Sequence, residues 1–208
     1  MDKNYISASW FTTLDYCEYK FFMDQVLGIK APRTYDMVKG TEIHEAKEQE
    51  FKKEAEPIVW EDFLKSKEYV ITKEVNLKVK YENITLLGRV DEIGSDANGI
   101  YIIDDKPKAK PYDGVKNQLF FYCYVFKRSF SDKTAKPIYA VLRDRDSDEE
   151  VWREQFNLNN EFMLVNKINR VKKIMSREIE PISTDNPNKC RACIMHQRGL
   201  CKFSLISN

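Results

Sequence analysis

The segment that most limits the possible folds is LLGRVDEIGSDANGIYIIDDKP, residues 86–107. Asn98-Gly99 is a dipeptide typical of tight hairpin turns, and the residues on either side of it favour strands. The second strand, IYIIDDK at 100–106, is apolar on both faces up to its charged end, which is typical of a strand buried on both sides. The chain therefore has to form a sheet that other elements cover on both faces.

The same hairpin would gather charged side chains at one end of the sheet. Folding at the turn places Asp91 opposite a residue between 102 and 106, and side chains alternate along a strand. Asp104 and Lys106 then share one face, whereas Asp105 points to the other. Two carboxylates and an ammonium group could hold a hard divalent cation beside a phosphate, because Mg²⁺ needs only one or two carboxylates besides water and substrate oxygens. The alternative is that these charges are merely solvated.

The other elements follow from hydrophobic periodicity and from turn residues between the periodic segments. Their order is helices, three strands, a helix, two strands, a helix and a cysteine-containing tail, which predicts a mixed α/β sheet flanked by helices. The predicted helices cover 7–29, 36–55, 114–128 and 158–179, and the further strands cover 69–81, 84–93, 137–146 and 149–157.

Composition excludes some classes of protein. The chain has 208 residues, of which 42% are hydrophobic, so it can bury a core and is not a disordered tail. Its formal net charge is only +1, so any contact with nucleic acid has to come from a local basic patch. No apolar run reaches the length of a membrane span, and the first residues do not resemble a signal peptide. We expect a soluble, intracellular, cytoplasmic protein without a membrane partner.

Five cysteines are an odd number, and the last three of them form the spacing C-x2-C-x7-C. In a reducing compartment this spacing favours metal binding over disulfides. Cys123 lies in an apolar run and is more easily explained as a core residue. Cys17 could also be a small buried core residue.

His44 and Glu48 lie four residues apart in the predicted helix at 36–55, so they face the same way. A single histidine on a helix is usually structural or exposed, and metal ligation is the alternative.

A second group of polar residues follows the hairpin. The loop KPKAKPYDG carries Lys106, Lys108 and Lys110, which could contact phosphates and give a salt-sensitive affinity, or could simply be solvated. Gln118 and Tyr122 lie four residues apart on one face of the next predicted helix.

Five segments, taken in order, resemble motifs of one nuclease family. The family is the RecB-like branch of the PD-(D/E)XK nucleases and, within it, the CRISPR-associated iron–sulfur exonucleases, Cas family number four. The similar segments are Ser7 to Tyr19, KGTEIHEAKE, GRVDEI, IIDDKP and QLFFY, and the similarity spans roughly residues 5–203. The resemblance implies a restriction-endonuclease-like core, with a mixed central sheet flanked by helices, in a single nuclease domain over residues 1–208.

The resemblance also implies roles for individual residues. Lys106 would be the catalytic lysine, and Gln118 and Tyr122 would lie at the wall of the active site and contact DNA. The ligands of Mg²⁺ or Mn²⁺ would be His44, Asp91, Asp104 and the backbone at Asp105. One departure from the family is Asp105 itself, which stands where the family usually has an aromatic residue.

In this family one N-terminal and three C-terminal cysteines hold a 4Fe–4S cluster, which needs four thiolates. By resemblance the ligands are Cys17, Cys190, Cys193 and Cys201, and the cluster would join residues 1–30 to residues 185–208. Zinc is the alternative, because it also favours four thiolates. The seven-residue gap before Cys201 is longer than in the family.

The expected activity is that of a Mg²⁺- or Mn²⁺-dependent deoxyribonuclease, an exonuclease acting on single-stranded or overhanging DNA ends, with endonuclease activity on single strands as an additional option. It would serve CRISPR spacer acquisition beside Cas integrase proteins, or DNA end processing. One alternative is a solo nuclease of viral or mobile-element recombination and replication. A second is a non-catalytic DNA-binding module stapled by the cluster or by zinc.

Overall fold

A computed structural model describes residues 4–30 and 58–206 of the chain. Its strands are β1 (Tyr5–Ser7), β2 (Val70–Tyr81), β3 (Ile84–Ser95), β4 (Ile100–Lys106), β5 (Ile138–Asp144) and β6 (Glu150–Gln155). Its helices are α1 (Trp10–Tyr16), α2 (Glu18–Gln25), α3 (Trp60–Lys65), α4 (Asp113–Phe130), α5 (Leu158–Met175), α6 (Pro187–Ala192) and α7 (Ile194–Gln197). The predicted helix at 36–55, with His44 and Glu48, lies outside the described residues.

The six strands form one mixed sheet whose centre is β3. Antiparallel β2 pairs with β3 along its whole length, so it occupies one edge of that strand. Parallel β1 and antiparallel β4 share the other edge, at residues 85–87 and 92–95 of β3 respectively. The stretch of β3 between these two partners contains Asp91. Such a change of neighbour leaves side chains and backbone groups accessible at the end of β4.

The sheet continues from β4 to β5 by a parallel pairing and from β5 to β6 by an antiparallel one. Helix α4 connects β4 to β5, as expected for a parallel crossover. Its middle is apolar on most sides, and buried residues run from Gln118 to Phe126. It packs against α1, against β2, β3 and β5 of the sheet, and against α5. This central position explains why an 18-residue segment so rich in aromatics is a helix and not a strand.

The mixed α/β class with a central sheet flanked by helices is confirmed. The strand predicted at 100–106 has those bounds, and the β2–β3 and β5–β6 pairs lie where the alternation predicted them. The last long helix ends at Met175, a turn earlier than predicted, and Arg177 follows it in a left-handed conformation with φ of 62°. Within the described ranges, no helix combines the length and the apolarity needed to cross a bilayer.

The predicted helix at 7–29 is wrong at its ends, because Ser7 belongs to β1 and α2 ends at Gln25. It is also wrong in its middle, because it is broken in two at Cys17. That residue adopts an extended backbone conformation, with φ of −170° and ψ of 119°, and α1 ends before it while α2 begins after it. Leu14 and Phe21 are both buried, so the apolar stripe continues through the break. The break turns Cys17 toward the C-terminal tail.

Candidate functional site

Asp91 and Asp105 are joined across the β3–β4 hairpin. The Asp105 backbone N–H donates a hydrogen bond to Asp91 Oδ2 at 2.9 Å. The register continues the pairing of Glu92 with Ile103, so Asp91 lies beyond the last paired residue and beside the end of β4. The prediction that the turn brings Asp91 next to residues 102–106 is confirmed.

Asp104 and Lys106 share the face of β4 that looks toward the core, as the alternation predicted. The Asp104 side chain is 1% exposed, and Lys106 Nζ lies 2.9 Å from its Oδ2. This contact is a charge pair and is not aligned as a hydrogen bond, so Oδ2 is buried without a hydrogen-bond partner among the described residues. Burial raises the pKa of Asp104 despite the opposing effect of Lys106, and the nearby Asp91 carboxylate adds to the rise. Lys106 therefore offsets the charge of the buried carboxylate, which is also a hard oxygen ligand of the kind that divalent cations prefer.

Burial and neighbouring charges shift the pKa of Lys106 with signs opposite to those for Asp104. Burial by itself lowers the pKa of Lys106, but the carboxylates of Asp104 and Asp91 outweigh it and raise that pKa above its usual value. The site therefore contains two carboxylates and one ammonium group close together on one face of the sheet.

The opposite face of the hairpin carries an ion-pair network that the sequence reasoning missed. Arg143, from β5, donates from Nε to Asp105 Oδ1 at 2.8 Å and from Nη2 to Asp105 Oδ2 at 3.1 Å. The same guanidinium reaches both oxygens of buried Glu92, at 3.2 and 3.3 Å. Hydrogen bonds from Arg143 to Asp105, and then to Glu92, raise the pKa of Arg143 above its usual value. The extra carboxylate at position 105 therefore pairs with Arg143.

Asp105 is held at its carbonyl as well, because Arg145 Nη2 donates to that oxygen at 2.8 Å. The backbone at Asp105 is thus fixed through its N–H, its carbonyl and its side chain. The signal that could have revealed this is the parallel pairing of β4 with β5, which sets Asp105 directly beside Arg143.

Gln118 and Tyr122 form the helical wall of the site. Both are buried, and Gln118 Nε2 donates to Tyr122 Oη at 2.9 Å. Burial raises the pKa of Tyr122, and the neighbouring carboxylate of Asp104 raises it further. The tyrosine ring lies flat against β3 at Gly88, where an added Cβ would come within 2.6 Å of the ring. Only glycine therefore lets α4 approach the sheet this closely.

The basic loop after β4 leaves both of its predicted DNA-contact residues, Lys108 and Lys110, exposed. The loop is fastened to the turn after β5, because the Ala109 N–H donates to Asp144 Oδ2 at 2.8 Å. Lys108 adopts a left-handed conformation, with φ of 52°.

The cysteines converge on one pocket at the C-terminal end of the fold. The pocket is lined by Cys17, Cys190, Cys193 and Cys201, together with half-buried His196. All five cysteines are free thiols, and Cys123 is a core residue as predicted. The pocket, which Tyr16, Met23 and Phe203 also line, measures about 20 Å³, room for about one water molecule.

A family model described as the PD-(D/E)XK nuclease superfamily matches residues 49–201 of the chain. The chain belongs to that superfamily. One similar solved structure is that of a protein from Eubacterium rectale, which is described as a candidate exonuclease. It has 13% identity, a TM-score of 0.55, and coverage of 99% of this chain and 92% of that one. A second is that of the protein SSO0001, with 16% identity, a TM-score of 0.54, and coverage of 99% and 89%.

At identities this low, the similarity to these two structures shows a shared fold only. No curated protein shows significant sequence similarity to the chain. Nucleases of this superfamily typically use divalent metals such as Mg²⁺ or Mn²⁺. The side chains of Asp91 and Asp104 fit that use, since carboxylate oxygens are the hard ligands that these ions prefer and the two carboxylates are close enough to influence each other. Among the residues that the structure describes, no three His, Cys, Asp or Glu side chains are grouped closely enough to hold a metal ion.

Proposed function

We propose that this protein is a metal-dependent deoxyribonuclease that hydrolyses phosphodiester bonds at single-stranded or overhanging DNA ends. The observation that carries the proposal is the buried Asp104 carboxylate, which lies 2.9 Å from Lys106 and near Asp91 in a superfamily of nucleases. Holding two carboxylates, one of them buried, beside one lysine is costly, and a bound divalent cation would offset that cost.

Asp91 and Asp104 would hold Mg²⁺ or Mn²⁺, and the resemblance adds His44 and the backbone carbonyl of Asp105 as further ligands. When bound, the ion would supply Lewis-acid polarisation of the phosphate and activation of water. Lys106 would orient the attacking water or offset negative charge that develops on the phosphate as the P–O bond to the leaving group breaks.

Tyr122 and Gln118 would shape the wall against which the scissile strand lies. Their mutual hydrogen bond at 2.9 Å fixes the tyrosine hydroxyl, and the close contact with Gly88 fixes its ring. A rigid wall of this kind helps to hold a reacting phosphate in one orientation.

The first test compares Asp104→Asn and Lys106→Ala with two matched controls, Asp62→Asn and Lys67→Ala, which change exposed residues in or near α3. End-labelled single-stranded DNA is incubated with Mn²⁺ or with a chelator. We expect the wild type and both controls to degrade DNA with Mn²⁺ only, and both site variants to be inactive while remaining folded by circular dichroism. Cleavage by purified Asp104→Asn at the wild-type rate would contradict the proposed site.

We further propose that the four clustered cysteines hold a 4Fe–4S cluster, with zinc as the alternative. Four thiolates suit either group, and burial together with the charges of Cys17, Cys193 and Cys190 raises the pKa of the Cys201 thiol, which supports their proximity.

The cluster is tested by anaerobic purification, metal analysis and visible absorption. We expect iron and sulfide with a brown colour in the wild type and in Cys123→Ser, and loss of both in Cys193→Ser. Zinc without iron would favour the alternative, and no metal in either protein would contradict this part of the proposal.

A role in CRISPR spacer acquisition rests on the sequence resemblance alone. It is tested by asking whether the protein binds a purified Cas integrase and trims the overhangs of its DNA substrates. Trimming without integrase binding would favour the solo nuclease, and DNA binding without any products would favour the non-catalytic module.

A further inference from the structure

We infer that the loop between β4 and α4, residues 107–112, is a single-strand binding platform on which Tyr112 stacks an unpaired base. The inference rests on the proposed function and deepens it, since it assigns a substrate class, an unpaired DNA strand, to a surface beside the proposed active site.

The loop lies directly beside the proposed active site. It begins directly after Lys106 and ends at Tyr112, which precedes the first residue of α4. Six residues of extended chain span at most about 20 Å, so every side chain of the loop lies within a few nucleotides of a phosphate at Lys106. A DNA strand that leaves the site on this side has to pass the loop.

The loop exposes one aromatic ring and two lysines. Tyr112 is 64% exposed, so the face of its ring is accessible to a ligand. Lys108 and Lys110 are exposed on the same short segment. Basic residues that track a phosphate backbone, together with an aromatic ring on which a base stacks, are the two components of single-strand binding surfaces. A paired base cannot offer its face to such a ring, so the platform favours unpaired strands.

Hydrogen bonds to the turn after β5 hold the loop in place. Asp144 Oδ2 accepts the Ala109 N–H at 2.8 Å, and its Oδ1 accepts the Asp146 N–H at 2.9 Å, so one carboxylate joins the loop to the turn after β5. The Arg145 N–H donates to the Lys106 carbonyl at 3.0 Å and fastens the start of the loop to the same turn.

The end of the loop is fixed by the helix. The Tyr112 carbonyl accepts N–H groups from Val115 and Lys116 at 2.9 and 3.0 Å, and the Tyr112 N–H donates to the Lys110 carbonyl at 2.8 Å. A ring whose backbone is already ordered loses little conformational entropy when a base stacks on it. Asp144 is accordingly a positioning residue for the platform.

Binding is measured by fluorescence anisotropy with a labelled oligonucleotide in chelator, so that no cleavage occurs. Tyr112→Ala is compared with Tyr69→Ala, whose tyrosine is similarly exposed at 59% on the other side of the sheet. Loss of one stacked base corresponds to a 5- to 150-fold weaker affinity. We expect that loss for Tyr112→Ala only, and recovery in Tyr112→Phe, which keeps the ring. On an abasic strand the wild type and Tyr112→Ala should bind equally.

The charge contribution is read from the salt dependence. Lys108→Ala with Lys110→Ala should reduce the slope of log K against log salt by about 1.4, since each phosphate contact on a single strand contributes about 0.7. The matched control is Lys78→Ala with Lys80→Ala, an exposed pair with the same spacing on β2. Asp144→Ala should raise KM for single-stranded DNA and leave kcat unchanged.

The outcomes separate this inference from the proposed function. If the wild type binds single strands through Tyr112 but produces no cleavage with Mn²⁺, the nuclease proposal fails and the platform stands. If the wild type cleaves while Tyr112→Ala binds intact and abasic strands as tightly as the wild type, the platform is refuted. A wild type that binds blunt duplex more tightly than single strands would also refute it.

Discussion

Replacing Arg143 by methionine should destabilise the protein strongly, because its guanidinium compensates two carboxylates at once. The side chains of Glu92 and Asp105 are 6% and 13% exposed, and that of Arg143 is 23% exposed. Removing one partner of a buried ion pair typically costs 3–5 kcal/mol, since the remaining charge is left uncompensated in a region of low dielectric constant.

The lower end of that range applies here for two reasons. Arg143 retains some solvent contact, and Lys73 Nζ lies 3.9 Å from Glu92 and would remain to offset part of its charge. We therefore expect a loss of about 3 kcal/mol in the free energy of unfolding. For a chain of this size, that loss corresponds to a fall in Tm of about 6–12 °C.

The assay is urea unfolding at pH 7, monitored by circular dichroism, with Lys65→Met as the matched control. Lys65 pairs with Glu61 on the exposed face of α3, with side-chain exposures of 67% and 72%, so its loss should change the free energy of unfolding far less than the loss of Arg143. Adding Glu92→Gln and Asp105→Asn to Arg143→Met removes the uncompensated charges and should restore most of the stability. The reasoning is wrong if Arg143→Met costs no more than Lys65→Met, or if the triple variant is as unstable as the single one.

Two further predictions follow from single contacts. Gly88→Ala should abolish cleavage in a protein that still folds, because the new Cβ would lie 2.6 Å from the Tyr122 ring. Gly94→Ala on the same strand is the control, since its Cβ meets only the movable end of exposed Tyr69, and equal activity of the two variants would refute the argument. Hydrogen bonds from backbone N–H groups, that of Ala109 first, lower the pKa of Asp144 below its ordinary value of 3.8. A depressed pKa contributes stability above pH 3.8 that is lost as the pH falls through the lower value of the folded state, so Asp144→Asn should be less stable than wild type at pH 7 in urea unfolding. That difference should narrow only as the pH falls below 3.8 and through the lower value of the folded state, and a difference that does not narrow on acidification would contradict the assignment.

Local patterns predicted the hairpin because its signals are local. The alternation in β3, the Asn98-Gly99 turn and the apolar run of β4 each depend on neighbours in sequence, and together they fix which side chains face each other. The separation of Asp104 and Lys106 from Asp105 follows from the two-residue period of a strand alone.

The break at Cys17 could not be predicted in this way. The apolar stripe from Leu14 to Phe21 continues across it with helical spacing, and no proline or glycine interrupts it. The extended conformation there belongs to a contact with the tail more than 170 residues away, where Tyr16 donates to the Lys189 carbonyl and Cys190 lines the same pocket as Cys17. Periodicity within one helix contains no information about such a contact.

The ion pairs of Arg143 were predictable in part. They depend on strand order, which the sequence indicates, and on strand register, which it does not. A strand, a helix and a second strand favour a parallel crossover, so a pairing of β5 with β4 was predictable in principle. The register that places Arg143 beside Asp105 is set by the packing of α4 against both strands and was not predictable.

The two acidic doublets of the hairpin place carboxylates on both faces of the sheet. Asp91-Glu92 and Asp104-Asp105 each send one carboxylate to either face, because neighbouring side chains on a strand point in opposite directions. On one face Asp91 and Asp104 meet Lys106, and on the other Glu92 and Asp105 share Arg143. The second members fix the backbone that carries the first, most directly where the Asp105 N–H holds the Asp91 carboxylate. It follows that Asp105→Ala should lower the apparent affinity of cleavage for Mn²⁺ although its side chain faces away from the proposed site, and a Mn²⁺ titration of cleavage that matches wild type would show that the two faces act independently.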